Sequence, residues 1–213
     1  MALSKVNFNS MNVTPSASKA IKFNSSNNGL ETGDLGGNLV LLATQTASSS
    51  ANLDFTSSID STYKEYIFKY IDIHPASVAQ LTVNFRDGGS DFDASKVTAT
   101  SNPYHTEADT ANFIYRSAWD LGNSTSDQII AQELGNAADE TACGVMHIFN
   151  PADTTFVTHF KGTTQYYQQF GGSGSFGVLY GGYCNTTAAI DGVRFKMSSG
   201  NIDSGTIKLY GVK

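Results

Sequence analysis

The sequence has little of what builds long helices or disulfide-stapled domains. Charged residues make up only 15% of its 213 residues, and it contains two cysteines, four prolines and one tryptophan. An average domain is about 25% charged, and long helices depend on Glu, Lys and Arg together with Ala and Leu. The place of these residues is taken by Ser, Thr, Asn and Gly, which indicates strands and turns. This composition excludes a coiled coil and a collagen-like chain.

Positive charge is scarce and scattered. The net charge is −6, and residues 86–140 hold ten acids and three bases, which gives −7 for that stretch alone. No cluster of Lys and Arg occurs, so the electrostatic signature of a nucleic-acid or anionic-membrane surface is missing. The longest wholly apolar run, residues 39–43, is far too short for a membrane span. The sequence therefore predicts neither a nucleic-acid nor a membrane partner.

The two cysteines, Cys143 and Cys184, are too few for a disulfide framework. The N-terminal residues also lack an apolar stretch of signal-peptide length. We therefore expect a chain that folds in a reducing cytoplasm with both thiols free.

Residues 1–38 differ from the rest of the chain. Asparagines alternate with isolated apolar residues such as Val6, Phe8 and Phe23, and several glycines follow. Such a segment buries too little apolar surface to offset its own ordering entropy. The pattern predicts an extended N-terminal arm over residues 1–38, followed by a domain over residues 39–213. The arm is either flexible or ordered by contact with that domain, with neighbouring subunits, or with both.

From Leu39 onward, apolar and polar residues alternate with the period of β-strands. Residues 63–74 predict a long central strand, because they are dense in Ile, Phe and Tyr and stop at Pro75. The predicted strands are 39–46, 51–55, 63–74, 81–86, 97–102, 128–134, 143–150, 156–162, 166–170, 176–183, 193–197 and 206–210. This pattern predicts an all-β fold, a two-sheet antiparallel β-sandwich that is jelly-roll-like.

Two further local structures are predicted. Residues 107–119 could hold a helical turn or two, within the least regular stretch, 103–140. At the C-terminus, residues 193–197 and 206–210 flank a Gly-, Asn- and Asp-containing segment, which predicts an antiparallel hairpin. The apolar side chains of that hairpin should all face the core, and they are Val193, Phe195, Met197, Ile207 and Leu209.

The motifs associated with chemistry are weak. Residues 172–177 match G-x-G-x-x-G, but Val178-Leu179-Tyr180-Gly181-Gly182 follows and cannot begin the helix that a dinucleotide site needs. A glycine-rich hairpin loop is the better interpretation. His147 and His159 lie on predicted neighbouring strands and could meet in space, in which case a hydrogen-bonded structural pair is favoured over a metal-binding pair. No zinc spacing or nucleophile elbow occurs, so the sequence predicts no catalytic residue, cofactor or metal.

Four tyrosines cluster in sequence around the glycine-rich loop. Exposed aromatic rings on a β scaffold can stack on sugars, or they can form core and subunit contacts. Both alternatives stay open for these candidate ligand-binding residues, Tyr166, Tyr167, Tyr180 and Tyr183.

Two stretches carry a resemblance to a known family. Residues 41–75 begin LLAT and continue through YKEYIFKYIDIHP, and residues 190–213 end in SGNIDSGTIKLYG before Val212 and Lys213. Together they resemble virion structural proteins of tailed bacteriophages, notably marine and cyanophage-type ones. The resemblance implies a β-sandwich module at the particle surface, closed by a C-terminal hairpin, with no catalytic residues.

These observations lead to one expectation and its alternatives. We expect a non-enzymatic virion structural protein, a head decoration or cement protein, which forms a homotrimer, contacts other virion proteins and is assembled in the host cytoplasm. The alternative is a tail-fibre or receptor module that binds a host-surface glycan. A capsule-degrading enzyme would require a long β-helix, for which the sequence has no repeat.

Overall fold

The computed structural model describes residues 19–26, 28–34, 37–169 and 173–213. The chain divides into two compact units, and the division falls between Asn38 and Leu39.

The first unit contains a β-hairpin. Strands β1 (Lys19–Phe23) and β2 (Leu30–Asp34) pair antiparallel, and the turn is closed by a hydrogen bond from the Asn24 amide to the Gly29 carbonyl, 3.0 Å. The rest of the predicted arm, residues 1–18, 27 and 35–36, lies outside the described residues.

The second unit is built almost wholly of strands. They are β3 (Leu39–Thr46), β4 (Asn52–Phe55), β5 (Glu65–Pro75), β6 (Ala79–Arg86), β7 (Lys96–Thr106), β8 (Ala111–Tyr115), β9 (Gly122–Ser124), β10 (Gln128–Leu134), β11 (Ala142–Phe149), β12 (His159–Gln168), β13 (Gly174–Cys184), β14 (Gly192–Met197) and β15 (Ile202–Val212). A short 3₁₀ turn at Ser117–Trp119 interrupts the series.

Hydrogen bonds arrange these strands in two layers. What we call the large sheet has the order β3-β15-β5-β11-β12-β13-β7-β8, with β9 also paired to β7. The small sheet has the order β10-β6-β14-β4. The layers are joined where β10 meets β12, through the single register pair Leu134 and Gln168.

The two layers pack face to face. Phe55 of the small sheet lies edge-on to Phe68 of the large sheet, with ring centroids 5.2 Å apart, and Phe85 lies 4.6 Å from Phe160. The chain alternates between layers through β3, β4, β5 and β6, the kind of crossing that jelly-roll sandwiches use. The predicted all-β sandwich is confirmed.

Strand β5 lies in the interior of the large sheet, between β15 and β11, as predicted. Its inward residues Tyr66, Phe68 and Tyr70 are fully buried. On the outward side, Ile67 is also buried, at 9% exposure. Ile71, on the same outward side, is 41% exposed. The outward face of β5 is therefore only partly covered, although Ile, Phe and Tyr occur on both faces.

The C-terminal hairpin prediction is half right. All five apolar side chains that were assigned to the core face are buried. The pairing is wrong, because β14 lies between β6 and β4 in the small sheet, whereas β15 lies between β3 and β5 in the large sheet. Period-2 alternation determines which face is buried and says nothing about the neighbouring strand. The link between β14 and β15 crosses from one layer to the other.

Two other local predictions need correction. Residues 156–162 and 166–170 were assigned to separate strands, but β12 runs unbroken from His159 to Gln168 because it pairs on both sides along its length. The possible helix at 107–119 is instead strand β8 followed by the 3₁₀ turn Ser117–Trp119.

Candidate functional site

A shallow groove of about 600 Å³ lies on the outer face of the large sheet, beside the β12–β13 hairpin. Its wall combines an aromatic ring, an amide, a carboxylate and hydroxyl groups, and the residues that matter below are His105, Glu107, Gln165, Tyr167 and Ser175. This mixture of a ring and hydrogen-bonding groups is what a polyhydroxylated ligand requires.

Strand register brings these side chains together from three strands. Tyr167 of β12 is opposite Ser175 of β13, and Ser175 is opposite His105 of β7. Gln165 donates a hydrogen bond from Nε2 to Ser175 Oγ, 2.6 Å, which fixes the amide within the groove. Because residues two apart on a strand share a face, Gln165 and Tyr167 line the same wall.

Two of the four candidate tyrosines belong to the core. Tyr166 and Tyr180 are 3% and 4% exposed, and the Tyr180 hydroxyl lies 3.3 Å from that of Tyr70. Burial raises the pKa of both phenols, so they stay protonated and serve as hydrogen-bonding groups inside the sandwich. Neither presents a ring face to a ligand, which corrects their candidacy.

The other two candidates are half-buried but far apart. Tyr167 lines the groove. Tyr183 is opposite His159 in register, eight residues along β13 from Ser175, a separation of roughly 27 Å in an extended strand. The four tyrosines therefore form a cluster in sequence and not in space. Tyr166 also borders the groove, but it is only 3% exposed, so Tyr167 is the tyrosine whose ring can contact a ligand there.

Neither thiol is a ready nucleophile. Cys143, also in the groove wall, donates from Sγ to Asp72 Oδ1, 3.3 Å, and burial raises its pKa. Cys184 is fully buried, and desolvation raises its pKa to about 12. The reactive form of cysteine is the thiolate, which both environments disfavour.

The predicted histidine pair is wrong. β11 and β12 are neighbours, but His147 is opposite Lys161 and His159 is opposite Phe149, so the two rings are out of register by two positions. His147 instead donates from Nδ1 to Glu65 Oε1, 2.6 Å. Within the described residues, no three His, Cys, Asp or Glu side chains are arranged to hold a metal ion. No helix in the described part of the chain is long and apolar enough to cross a membrane.

The two edges of the large sheet form a second candidate site, which the sequence analysis missed. Edge strand β3 reads LVLLATQT and β8 reads ANFIY, so neither carries a charge or a proline. Leu41 on β3 is 53% exposed, and Phe113 on β8 is 64% exposed. In the described part of the chain β3 pairs with β15 alone and β8 with β7 alone. The absence of charge in both strands was the signal in the sequence.

Comparison with known proteins supports no family and no function for this chain. No protein-family model matches the chain, and no curated protein matches it. Among solved structures, the structure of infectious bursal disease virus Gt strain aligns with 14% identity and a TM-score of 0.11. The alignment covers 91% of this chain and 46% of the viral chain, so this chain spans about half the length of that protein. A TM-score this low supports neither a shared fold nor a shared role.

Proposed function

We propose that this protein is a non-enzymatic structural protein of a tailed-phage particle, a head decoration or cement protein that assembles through the two edges of its large sheet. The observation that carries the proposal is the pair of uncharged, exposed edge strands β3 and β8. The resemblance of residues 41–75 and 190–213 to phage virion proteins supports it.

Exposed strand edges are hazardous in a free protein, because their unpaired N–H and C=O groups can capture another chain. Natural monomers blunt such edges with Lys, Pro, bulges or very short strands. β3 is eight residues long and β8 five, and both carry large apolar side chains. A subunit whose edges are covered by identical neighbours needs no such protection.

The two edges differ in sequence, so a contact between β3 of one subunit and β8 of the next is heterologous. Heterologous contacts close into rings when the rotation per subunit allows it. The homotrimer that we expect is such a ring, and low surface charge is typical of subunits whose interfaces are depleted of charged residues.

Sedimentation of the purified protein tests this assembly. We expect a trimer at micromolar concentration and a monomer for Phe113→Lys, which places a charge on the β8 edge. Phe156→Lys is the matched control, because Phe156 is 71% exposed but lies outside every strand, and this variant should remain trimeric. A monomeric wild type, or equal behaviour of the two variants, contradicts the proposal.

Quantitative mass spectrometry of purified particles tests the location. A copy number comparable to that of the major head proteins supports decoration of the head. A copy number as low as that of tail proteins contradicts it and favours the tail.

A second candidate function is recognition of a host-surface glycan, as a tail-fibre or receptor module. The groove favours it, because the Tyr167 ring, the Gln165 amide and the Glu107 carboxylate all line it. Binding of host-cell polysaccharide, measured by calorimetry, should be lost in Tyr167→Ala and retained in Tyr183→Ala. No binding by the wild type excludes this role for the polysaccharide used.

A further inference from the structure

Lys96, the first residue of β7, is fully buried at 0% exposure. Its Nζ donates to Asn84 Oδ1, 2.6 Å, and to the Ala94 carbonyl, 2.8 Å. Among the described residues no carboxylate makes an ion pair with it. Buried lysines are normally paired with an acid, because an unpaired ammonium is costly to desolvate. The neutral partners of Lys96 therefore require an explanation.

The Asn84 side chain, on β6, is 4% exposed and fully hydrogen-bonded. Its Nδ2 donates to Asp127 Oδ1, 2.8 Å, and to the Thr125 carbonyl, 3.0 Å. Its Oδ1 accepts from Lys96 Nζ and from the Phe85 amide, 2.9 Å. The amide is thus locked with its carbonyl beside a lysine amine and its nitrogen beside a carboxylate.

The surroundings favour an uncharged lysine. Desolvation lowers the pKa of Lys96 to about 8, against smaller opposing effects from Cys184, Asp127, Asp93 and Asp87. At neutral pH about a tenth of such a group is the free amine, and the free amine is the nucleophilic form of lysine.

We propose that Lys96 and Asn84 join to form an intramolecular isopeptide bond, with Asp127 as the proton-transfer group. The Lys96 amine attacks Cγ of Asn84 and forms a tetrahedral intermediate. In this intermediate both nitrogens are bonded to Cγ, and Asp127 is hydrogen-bonded to the amide nitrogen, 2.8 Å. The proton that the attacking nitrogen loses is transferred through Asp127 to the amide nitrogen, whose bond to Cγ then breaks. Ammonia leaves, and a Nζ–Cγ amide bond remains.

The reaction is balanced without any other reactant. One amine and one primary amide give one secondary amide and one ammonia, with no oxidation or reduction. Proximity supplies the rate, because the fold holds both reacting groups together and away from water. Asp127 touches the leaving nitrogen, and Lys196, 2.8 Å from its other oxygen, holds the carboxylate in place.

The product would tie the two layers together. β6 belongs to the small sheet and β7 to the large sheet, so the bond would link the sheets covalently across the β6–β7 connection. A cross-link of this kind resists mechanical and thermal separation of the layers without a disulfide, and so does not depend on the redox state of the compartment.

Intact-mass spectrometry of the full chain tests the proposal first. We expect a mass about 17 Da below that of the amino-acid sequence, the mass of one ammonia. Trypsin cleaves after Lys69, Arg86, Lys96 and Arg116, but it does not cleave after an acylated lysine. The digest should therefore contain peptide 70–86 joined to peptide 87–116, because cleavage at Arg86 leaves the two connected only through the new bond.

Substitutions at the reacting residues test whether the loss of ammonia comes from this bond. Lys96→Met and Asn84→Ala should show the full mass of their sequences, and Asp127→Asn should lose ammonia far more slowly. Lys161→Met, which removes an exposed lysine on the large sheet, should lose ammonia as the wild type does. If the first two variants fail to fold, the wild-type peptide map still decides. Free peptides 70–86 and 87–96 from aged wild-type protein, with no linked species, overturn the proposal.

Discussion

The two sheets share one core but differ in how their outer surfaces are completed. The small sheet pairs its charges internally, and its edge strand β4 has only four residues. Three Arg or Lys side chains on this sheet contact an Asp, in the pairs Arg86–Asp191, Arg194–Asp54 and Lys196–Asp127. The large sheet instead ends in the uncharged strands β3 and β8. The difference between the two sheets is the basis of the proposed assembly, in which the edges of the large sheet are covered by neighbouring subunits and the small sheet is complete within one subunit.

The largest loss of stability is expected from a substitution in the core that the two sheets share. Leu209 on β15 is fully buried opposite Phe68. Leu209→Asp places an unpaired carboxylate there, at a cost of several kcal/mol against a total stability of about 5–15 kcal/mol. We expect loss of the cooperative thermal transition, measured by circular dichroism. A melting temperature within a few degrees of the wild type would mean that the register of β15 is wrong.

The next effect concerns the edges of the large sheet. Leu41→Lys should break the β3 edge as Phe113→Lys breaks the β8 edge, and each should weaken self-association at least tenfold, or about 1.4 kcal/mol. Each variant keeps one edge intact. An equimolar mixture should therefore form a dimer, although each variant alone sediments as a monomer. If either variant alone stays trimeric, the contact is not between β3 and β8.

A smaller loss of stability is expected when an ion pair on the small sheet is broken. Arg194 donates two hydrogen bonds to Asp54, 2.8 Å and 2.7 Å. Burial opposes ionisation of Asp54, but the hydrogen bonds and charge of Arg194 outweigh it and lower the pKa of that carboxyl. Arg194→Met should cost about 1 kcal/mol at neutral pH, because the pair is only partly exposed.

The pH dependence of this pair sharpens the test. Because the pKa of Asp54 is lower in the folded protein than in the unfolded chain, ionised Asp54 stabilises the fold at pH values above about 4, the usual carboxyl pKa. This stabilisation is lost as the pH falls from about 4 through the lowered pKa of the folded state. Denaturant unfolding at several pH values should show the variant and the wild type converging in acid. A difference that persists at low pH would mean that Arg194 acts mainly through its contact with the Phe92 ring, 4.2 Å away.

The smallest change in stability is expected from a charge reversal on the outer face of the large sheet. Lys208 is opposite Lys69 in register, and like charges opposite each other are mildly destabilising. Lys208→Asp would convert this to an attractive pair, so the change in the free energy of unfolding should be under about 0.5 kcal/mol, and in the stabilising direction. A large loss of stability or of trimer would place Lys208 in a contact that the single subunit does not show.

The sequence predicts which residues are buried better than it predicts which strands are neighbours. The alternation at 193–197 correctly places Val193 and Phe195 in the core, because a strand with one buried face has a period of two. The partner of that strand depends on packing between the two layers, which brings together residues more than a hundred positions apart in sequence, such as Phe68 and Phe195. No local pattern contains this information.

The candidate sites show the same limit. Tyr166 and Tyr167 are adjacent in sequence, yet one is in the core and the other lines the groove, because neighbours on a strand point to opposite faces. The contact between Lys96 and Asn84 was also invisible in the sequence, since it depends on where the β6–β7 connection returns. The period and composition of a strand predict which of its faces is buried, whereas the tertiary fold determines which residues are brought into contact.

The position of β15 has a consequence for synthesis of the protein on the ribosome. β15 lies between β3 and β5, and Thr46 contacts Thr206 across 160 residues of sequence. β3 therefore cannot acquire its native neighbour until β15 has been translated, and contacts this distant in sequence form slowly. A nascent chain consequently lacks the finished β3 edge, so the association proposed above through that edge has to follow translation of β15.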